Sequence, residues 1–353
     1  MKKYRIITTF LMLQFLSTML LAQNKPYRVG TTACNFLEMG IGSAGNAMGE
    51  AYVSVARDLS SIYWNPSGLA YLESNEIQFM YQPWLLDTNI GFAGAAIVLP
   101  RVGTLGLSIT NMDFGRTEVT TMTMQEGTGE TFTAGEYAVG FTYARKIVQW
   151  FAFGAAAKWI SSNIWHLNAN ALALDLGVMV NTQFFSFSGK PEHGMTIGMS
   201  ISNYGTKIKY DGIDLLIPVD ILPDENGNYK DLEAQYRLQG WELPLIFRVG
   251  TSIMPIVTES QKLILAVDAL HPNNNSESVN VGAEYQLRSF GFGRFYFRGG
   301  YRGLFMEDSQ FGVTLGVGFH LTLMGNRVIK IDYAYRDMDL LGSSSIYTVG
   351  LTF

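Results

Sequence analysis

Charged residues are scarce in this chain of 353 residues: they make up 16% of it, whereas soluble domains usually carry about 25%. Cysteine occurs only at Cys34, which excludes an intramolecular disulfide and a cysteine-based metal site. Beyond the first 22 residues, no run of about 20 apolar residues could cross a bilayer as a helix. Apolar residues still form 48% of the chain. A buried all-β protein and a membrane β-barrel are the two classes that remain.

Histidine is also rare, and the chain has no recognisable catalytic pattern. The four histidines, His166, His193, His271 and His320, are scattered and lack the spacing of metal ligands. The glycines of "GFGRFYFRGG" (291–300) fall in a tight hairpin rather than in the strand–helix turn that a phosphate loop needs. We therefore predict no catalytic residue, no metal ion, no cofactor and no enzymatic activity.

Basic residues are outnumbered, 25 against 30 acidic ones. Three of them lie in the first five positions, before an apolar run over 6–21 and a cleavage point after Ala22, which predicts a signal peptide over 1–22. Leu20 departs from the small-residue rule, and a short membrane anchor is the alternative. Cleavage would leave 22 basic residues against 30 acidic ones, a net charge of −8, which argues against a nucleic-acid partner.

Apolar residues recur at every second position from residue 77 onward. In "QFGVTLGVGFHLTL" (310–323) the odd-numbered residues are apolar and the even-numbered ones are small or polar, which indicates a strand with one apolar face. The predicted strands are 77–82, 88–99, 103–114, 134–146, 150–163, 170–184, 193–203, 243–257, 261–271, 277–289, 293–303, 309–323, 327–336 and 345–353. Many have ten residues or more, as tilted membrane-spanning strands require. We predict an all-β transmembrane barrel of about fourteen antiparallel strands.

The connections and the end of the chain indicate the outer membrane of a Gram-negative bacterium. Every second connection is a tight turn, apart from 187–193, and the other set contains both long loops, 115–133 and 204–242. Short periplasmic turns and longer outer loops are typical of outer-membrane barrels, whose exterior contacts lipid. The chain ends in an apolar, alternating strand with Phe353 last. Such an end is typical of chains that the outer-membrane assembly machinery inserts.

Charged residues collect on the predicted inward face of the strands. They are Arg248, Glu284, Arg288, Arg294, Arg298, Arg302, Lys330 and Asp332. One interpretation is an ion-pair network inside the lumen that holds a plug. The alternative is a basic track for an anionic ligand such as a fatty-acid carboxylate. The two signs of charge are interleaved, which favours the network.

The second long loop contains "LLIPVDIL", an apolar run for a segment that should face solvent. Exposed apolar patches often mark interaction sites. We predict that the apolar residues of this run contact a partner: Leu215, Leu216, Ile217, Val219, Ile221 and Leu222. The alternative is that the run folds back over the mouth of the barrel.

Several segments together resemble the PorV/PorQ family, which is related to the FadL-like transport barrels. They are "MGIGSAGNAMGEAYVSVARDLSSIYWNPSGLA" (39–70), "SNYGTKIKY" (202–210), "ELPLIFRVG" (242–250), and "AEYQL" followed by "FRGGYR" (283–302). Ser67 stands where this family usually has Ala, and Leu59 where it often has a second acid. The resemblance implies a small N-terminal plug, placed at 23–76, inside a fourteen-stranded barrel over 77–353.

The resemblance also implies two roles. PorV-like proteins serve type IX secretion and bind a translocon subunit or the C-terminal domains of secreted cargo. FadL-like proteins carry hydrophobic small molecules, such as fatty acids, across the outer membrane. We expect the first role and keep the second as the alternative.

The stretch "SSIYWNPSGLA" (60–70) precedes the first predicted strand. Asp58 or Ser60 is placed to cap a short helical turn, and Pro66 ends that turn because it lacks an N–H and restricts Asn65. Tyr63 and Trp64 would wedge the plug against the wall. The predicted hinge between plug and wall comprises Asp58, Tyr63, Trp64, Asn65, Pro66 and Gly68.

Overall fold

The computed structural model describes residues 28–224, 232–289, 293–306, 309–323, 325 and 327–353. The predicted signal peptide over 1–22 lies outside these residues. Within them, fourteen long antiparallel strands form one closed sheet. The strands are β1 Glu76–Pro83, β2 Asn89–Leu99, β3 Gly103–Glu118, β4 Thr131–Val148, β5 Phe151–Ile164, β6 Leu167–Asn181, β7 Thr196–Gly205, β8 Ile246–Val257, β9 Gln261–Pro272, β10 Ser278–Ser289, β11 Gly293–Leu304, β12 Val313–Thr322, β13 Val328–Asp337 and β14 Ser343–Thr352.

The sheet closes where β1 pairs with β14, from Glu76 opposite Thr352 to Tyr81 opposite Tyr347. Closure pairs the backbone groups that an open edge would expose to lipid. The two faces differ as the period of two predicts: on β12, Val313, Leu315 and Val317 are 50%, 55% and 51% exposed, whereas Thr314 is buried. The predicted all-β barrel of fourteen strands with an apolar exterior is therefore confirmed.

Several strand limits differ from those that the alternation predicts: β6 covers 167–181 rather than 170–184, and β12 begins at Val313 rather than at 309. β3 and β4 continue to Glu118 and from Thr131, so that the connection between them is 119–130 rather than 115–133. The β7–β8 connection contains a two-residue strand, Asp211–Gly212, which pairs with β6. It also contains two strands, Leu216–Val219 and Leu232–Gln235, which pair with each other and which we call the outer hairpin.

Short helices before β1 form the plug. They are a 3-10 helix at Asn35–Glu38, α1 at Ser43–Ala47, α2 at Ser61–Trp64 and a 3-10 helix at Pro66–Tyr71. Further 3-10 turns lie in the connections at Pro191–His193, Ile213–Leu215 and Asp339–Leu341. No helix in the described part of the chain is both long and apolar enough to cross a membrane.

The plug packs against the wall through buried residues. Towards the long outer loops, Cys34, Phe36 and Leu37 pack with Ile208 and Leu243 of the β7–β8 connection. These apolar side chains form one buried cluster at that end of the lumen. In the middle of the plug, Trp64, Tyr52 and Met48 belong to a second buried cluster.

Paired glycines let the plug backbone approach the wall. Among the described residues, three such pairs lie directly opposite across neighbouring strands: Gly154 with Gly177, Gly198 with Gly250, and Gly282 with Gly300. A Cβ added at Gly154 would overlap the backbone of Pro66. The second pair faces Val53 and the third faces Met48 in the same way. Only residues without a side chain permit this approach.

We expect Gly154→Ala to loosen the plug, because its new Cβ has no room beside Pro66. Overpacking of this kind typically costs about 1–3 kcal/mol of unfolding free energy. Gly135→Ala is the matched control, since its Cβ would meet only the Met112 carbonyl oxygen at 3.6 Å. The temperature at which the purified barrel unfolds in detergent should fall for Gly154→Ala alone. Equal unfolding temperatures for the two variants would contradict the close contact.

Candidate functional site

The plug is joined to the wall at Asn65, the residue before Pro66. Asn65 is fully buried, and its Nδ2 donates hydrogen bonds to the Val53 carbonyl at 2.8 Å and to the Val178 carbonyl at 3.0 Å. Its Oδ1 accepts from the backbone N of Ser67 at 3.2 Å and from Ser67 Oγ at 2.6 Å. One side chain therefore links two plug segments to β6. Ser67, the departure from the usual family residue, completes its hydrogen bonding.

The short helix before Asn65 begins after Ser60, whose side chain makes no capping hydrogen bond. Asp58 Oδ1 accepts from the backbone N of Ser60 at 3.0 Å, just before α2. Asn65 is extended, with φ of −163°, and Pro66 opens the next 3-10 helix. Gly68 lies against the plug itself, because a Cβ there would overlap the Ala56 carbonyl oxygen.

Trp64 and Tyr63 are anchored on different neighbours. Trp64 is fully buried and its Nε1 donates to the Ile41 carbonyl at 2.8 Å. The Tyr63 hydroxyl donates to the Glu38 carbonyl at 2.8 Å and accepts from Arg248 Nη2 of β8 at 3.1 Å. Burial raises the pKa of Tyr63 to about 12. The phenol is therefore a neutral donor at physiological pH.

The predicted charged residues separate into groups. The first is an ion-pair cluster in which Arg298 contacts Glu284 Oε2 at 2.6 Å and Asp332 Oδ1 at 2.5 Å. His320 Nε2 lies 3.1 Å from the other Asp332 oxygen. Arg298, Glu284 and Asp332 are buried. A buried charge is tolerated only when it is paired and hydrogen-bonded, and this arginine satisfies both carboxylates.

Other charges of the wall pair with one acid of the plug and with the first residue of β1. Arg302 Nη1 and Arg336 Nη1 contact the same oxygen of Glu50, at 2.8 Å and 3.2 Å. Lys330 Nζ contacts Glu76 at 2.8 Å. Both acids were missed in the sequence, because the plug has no strand periodicity and the predicted first strand begins one residue after Glu76. A search for acids in the plug that could balance inward-facing arginines would have found Glu50.

The remaining predicted arginines have no acidic partner among the described residues. Arg248 is buried and contacts Ser202 Oγ at 3.3 Å besides Tyr63. Arg288 and Arg294 line a cavity of about 710 Å³ at the end of the barrel that carries the short turns. Plug residues form its roof and the starts or ends of several strands form its sides.

The outer hairpin gives the apolar run mixed exposure. Leu216, Ile221 and Leu222 are 44%, 57% and 41% exposed, whereas Leu215 is buried. Ile217 and Val219 are half-buried. Ile208 and Leu243, which flank the run in the same connection, belong to the buried cluster of the plug.

The His, Cys, Asp and Glu side chains are the candidate ligands for a metal ion. Across the described ranges, no group of three or more His, Cys, Asp or Glu residues is arranged to hold a metal ion. Cys34 is buried beside Glu136, and burial raises the pKa of its thiol far above the usual range. This thiol is therefore protonated and unreactive.

The closed wall, apolar exterior and internal plug define a plugged outer-membrane β-barrel of a Gram-negative bacterium. The chain belongs to the PorV family: the profile described as "Type IX secretion system protein PorV" matches residues 22–221. No curated protein matches the sequence.

Solved structures agree on the fold. The Pseudomonas putida toluene transporter TodX is 10% identical, with a TM-score of 0.55, over 89% of this chain and 97% of its own. A Pseudomonas aeruginosa FadL homologue is 11% identical, with a TM-score of 0.53, over 93% of this chain and 99% of its own. At these identities the likeness concerns the fold, and the predicted FadL-like architecture is confirmed.

Replacement of Asn65 and Pro66 together by Ala should loosen the plug. Two buried carbonyls, of Val53 and Val178, would lose their donor, at a cost of about 1–3 kcal/mol each. We expect higher conductance in planar bilayers and faster entry of large antibiotics into cells. Asn275→Ala, in an exposed outer connection, is the control. Permeability equal to that of the control would show that the motif does not hold the plug.

Arg298→Leu should destabilise the barrel by about 3–5 kcal/mol, because it leaves Glu284 and Asp332 buried without their cation. Arg327→Leu removes an exposed arginine from a periplasmic turn and should change stability by about 0.5 kcal/mol or less. Denaturant unfolding in lipid vesicles measures both. A cost for Arg298→Leu no larger than for Arg327→Leu would argue against the cluster as a stabilising element.

Proposed function

We propose that this protein is a non-enzymatic interaction component of type IX secretion. Its extracellular end would bind a translocon subunit, the C-terminal domain of secreted cargo, or both. The observation that carries the proposal is the exposure of Leu216 in the outer hairpin and of Ile221 and Leu222, which follow its first strand. Contiguous exposed apolar side chains on a protein surface often mark a binding site for another protein.

Hydrogen bonds order the outer hairpin within its own connection: Tyr236 N donates to the Leu215 carbonyl at 3.0 Å, and Gln235 Nε2 donates to Asp211 Oδ1 at 2.5 Å. The connection is joined to the wall where Asp211–Gly212 pairs with β6 and where Asp214 contacts His166, at the turn between β5 and β6, at 2.9 Å. A surface that is already ordered loses less conformational entropy on binding.

The buried apolar cluster at the outer end of the lumen also supports an interaction role. Phe36 and Leu37 of the plug pack with Ile208 and Leu243 there. Sites for small hydrophobic ligands are mostly apolar cavities with few polar groups. The large cavity at the other end instead carries several charged side chains.

Transport of hydrophobic small molecules is the alternative. It is supported by the fold shared with the toluene transporter TodX and by the presence of a cavity below the plug. A deletion strain would then take up fatty acids or aromatic hydrocarbons more slowly, while secretion would continue normally.

The test replaces Leu216, Ile221 and Leu222 together by Ser in tagged protein expressed in its native host. Pull-down from native membranes should recover a translocon subunit or cargo with the wild type, and about tenfold less with the variant. Met122→Ser is the control, since Met122 is 94% exposed at the same end, outside the outer hairpin.

Secretion should fall in the triple variant and stay normal in the control, with both barrels equally stable to heat. Recovery of neither partner from the wild type, together with unaffected secretion in a deletion strain, would refute the interaction role. Slower uptake of hydrophobic molecules in that strain would favour the transporter.

A further inference from the structure

Four basic side chains form a row on the inner wall, at the periplasmic end. Arg288 of β10 lies directly opposite Arg294 of β11, Arg294 lies opposite His320 of β12, and His320 lies opposite Lys330 of β13. We call these four residues the basic row. All of them line the 710 Å³ cavity. Like charges directly opposite on neighbouring strands are destabilising unless something compensates them.

Only two of the four side chains of the basic row have an acidic partner among the described residues. Lys330 contacts Glu76 and His320 contacts Asp332. Arg288 and Arg294 form no ion pair with any described residue, and the neighbour that interacts with the Arg294 side chain is the neutral phenol of Tyr296. Both arginines are exposed to the cavity. Two opposed guanidinium groups are thus left without a counter-charge.

The plug and the facing wall add further cations. Arg57 Nη2 donates to Asn181 Oδ1 at 3.1 Å and to Thr196 Oγ1 at 3.3 Å, which are neutral acceptors. Its guanidinium lies 4.7 Å from the centre of the Tyr71 ring. Lys262 of β9 also lines the cavity and forms no ion pair with the described residues. Four cations that line the cavity, Arg57, Lys262, Arg288 and Arg294, thus have no ion-pair partner among the described residues.

Two of the four acids that line the cavity form ion pairs with other residues. Glu284 is bound to Arg298 and Glu76 to Lys330. Asp58 accepts hydrogen bonds from Ser60 and from the Tyr52 hydroxyl. Glu73 is exposed at the rim. None of these acids contacts Arg288 or Arg294 within ion-pair distance.

We propose that this cavity binds a small oxyanion, a carboxylate or a phosphate, held by Arg288 and Arg294. The planar guanidinium fork matches the oxygens of both groups and donates two parallel hydrogen bonds to them. The cavity volume falls within the range of about 300–1,000 Å³ that is usual for small-molecule sites. The site does not depend on the proposed role of the outer hairpin, which lies at the opposite end of the barrel.

The oxyanion has two sources, a dissolved anion or the headgroup of an anionic phospholipid. The closed wall separates the cavity from the surrounding lipid, which favours the dissolved anion. Competition by a water-soluble, short-chain phosphatidylglycerol distinguishes them. If it displaces phosphate, the headgroup shares the site; if it does not, the site takes the dissolved anion.

Calorimetric titration of the full mature protein in neutral detergent tests the site. Inorganic phosphate and succinate are the probes, at constant ionic strength set with sodium chloride. We expect saturable binding of at least one probe, weakened about tenfold by Arg294→Gln or Arg288→Gln. Arg327→Gln removes the same charge at the same end but outside the cavity lining, and it should leave the affinity unchanged.

A stability measurement separates binding from a purely structural role. Without phosphate, Arg294→Gln should be at least as heat-stable as the wild type, because it relieves the repulsion with Arg288. Added phosphate should raise the unfolding temperature of the wild type and of Arg327→Gln, but not of Arg294→Gln. The proposal would be overturned if neither phosphate nor succinate bound saturably, or if Arg294→Gln bound them as tightly as the wild type.

Discussion

The close approach of the plug backbone to the paired glycines of the wall is the constraint on which the rest of the lumen depends. Gly154 and Gly177 leave room for Asn65 and Pro66. Once the two backbones touch, water is excluded and every polar group at the contact needs a protein partner. The Asn65 side chain satisfies that need. The end of α2 just before Asn65 and Pro66 thus places the side-chain amide of Asn65 between plug and wall.

The buried charges follow from the same exclusion of water. Glu50 enters a lumen that carries Arg302 and Arg336, and it is held by both. Asp268 of the wall accepts a hydrogen bond from the backbone N of Val53 at 2.8 Å. These contacts are directional, unlike the packing of apolar side chains. They therefore fix where the plug sits, while the glycine pairs determine how closely it packs.

The wall could be predicted from the sequence because every second residue of each strand faces lipid and is apolar, as on β12. Beyond the bilayer this requirement for apolar residues ends, and the extra length of β3 and β4 was therefore missed. The inward position of Arg298 and Asp332 was predicted from the same alternation. The partner of Arg302 and Arg336 could not be predicted in this way, because Glu50 lies in the plug, where apolar and polar residues do not alternate. The four bonds of Asn65 join segments that are up to 113 residues apart, and local pattern carries no information on such contacts.

The two ends of the barrel carry different chemistry, and the plug keeps them separate. Towards the outside, Phe36 and Ile208 belong to a buried apolar cluster. Towards the periplasm, the cavity holds Arg288 and Arg294 in water-accessible space. A single route for a hydrophobic ligand would have to leave the apolar cluster and cross that charged space. Separate binding surfaces at the two ends require no such crossing, and they are compatible with a plug that is bonded to the wall over its whole length.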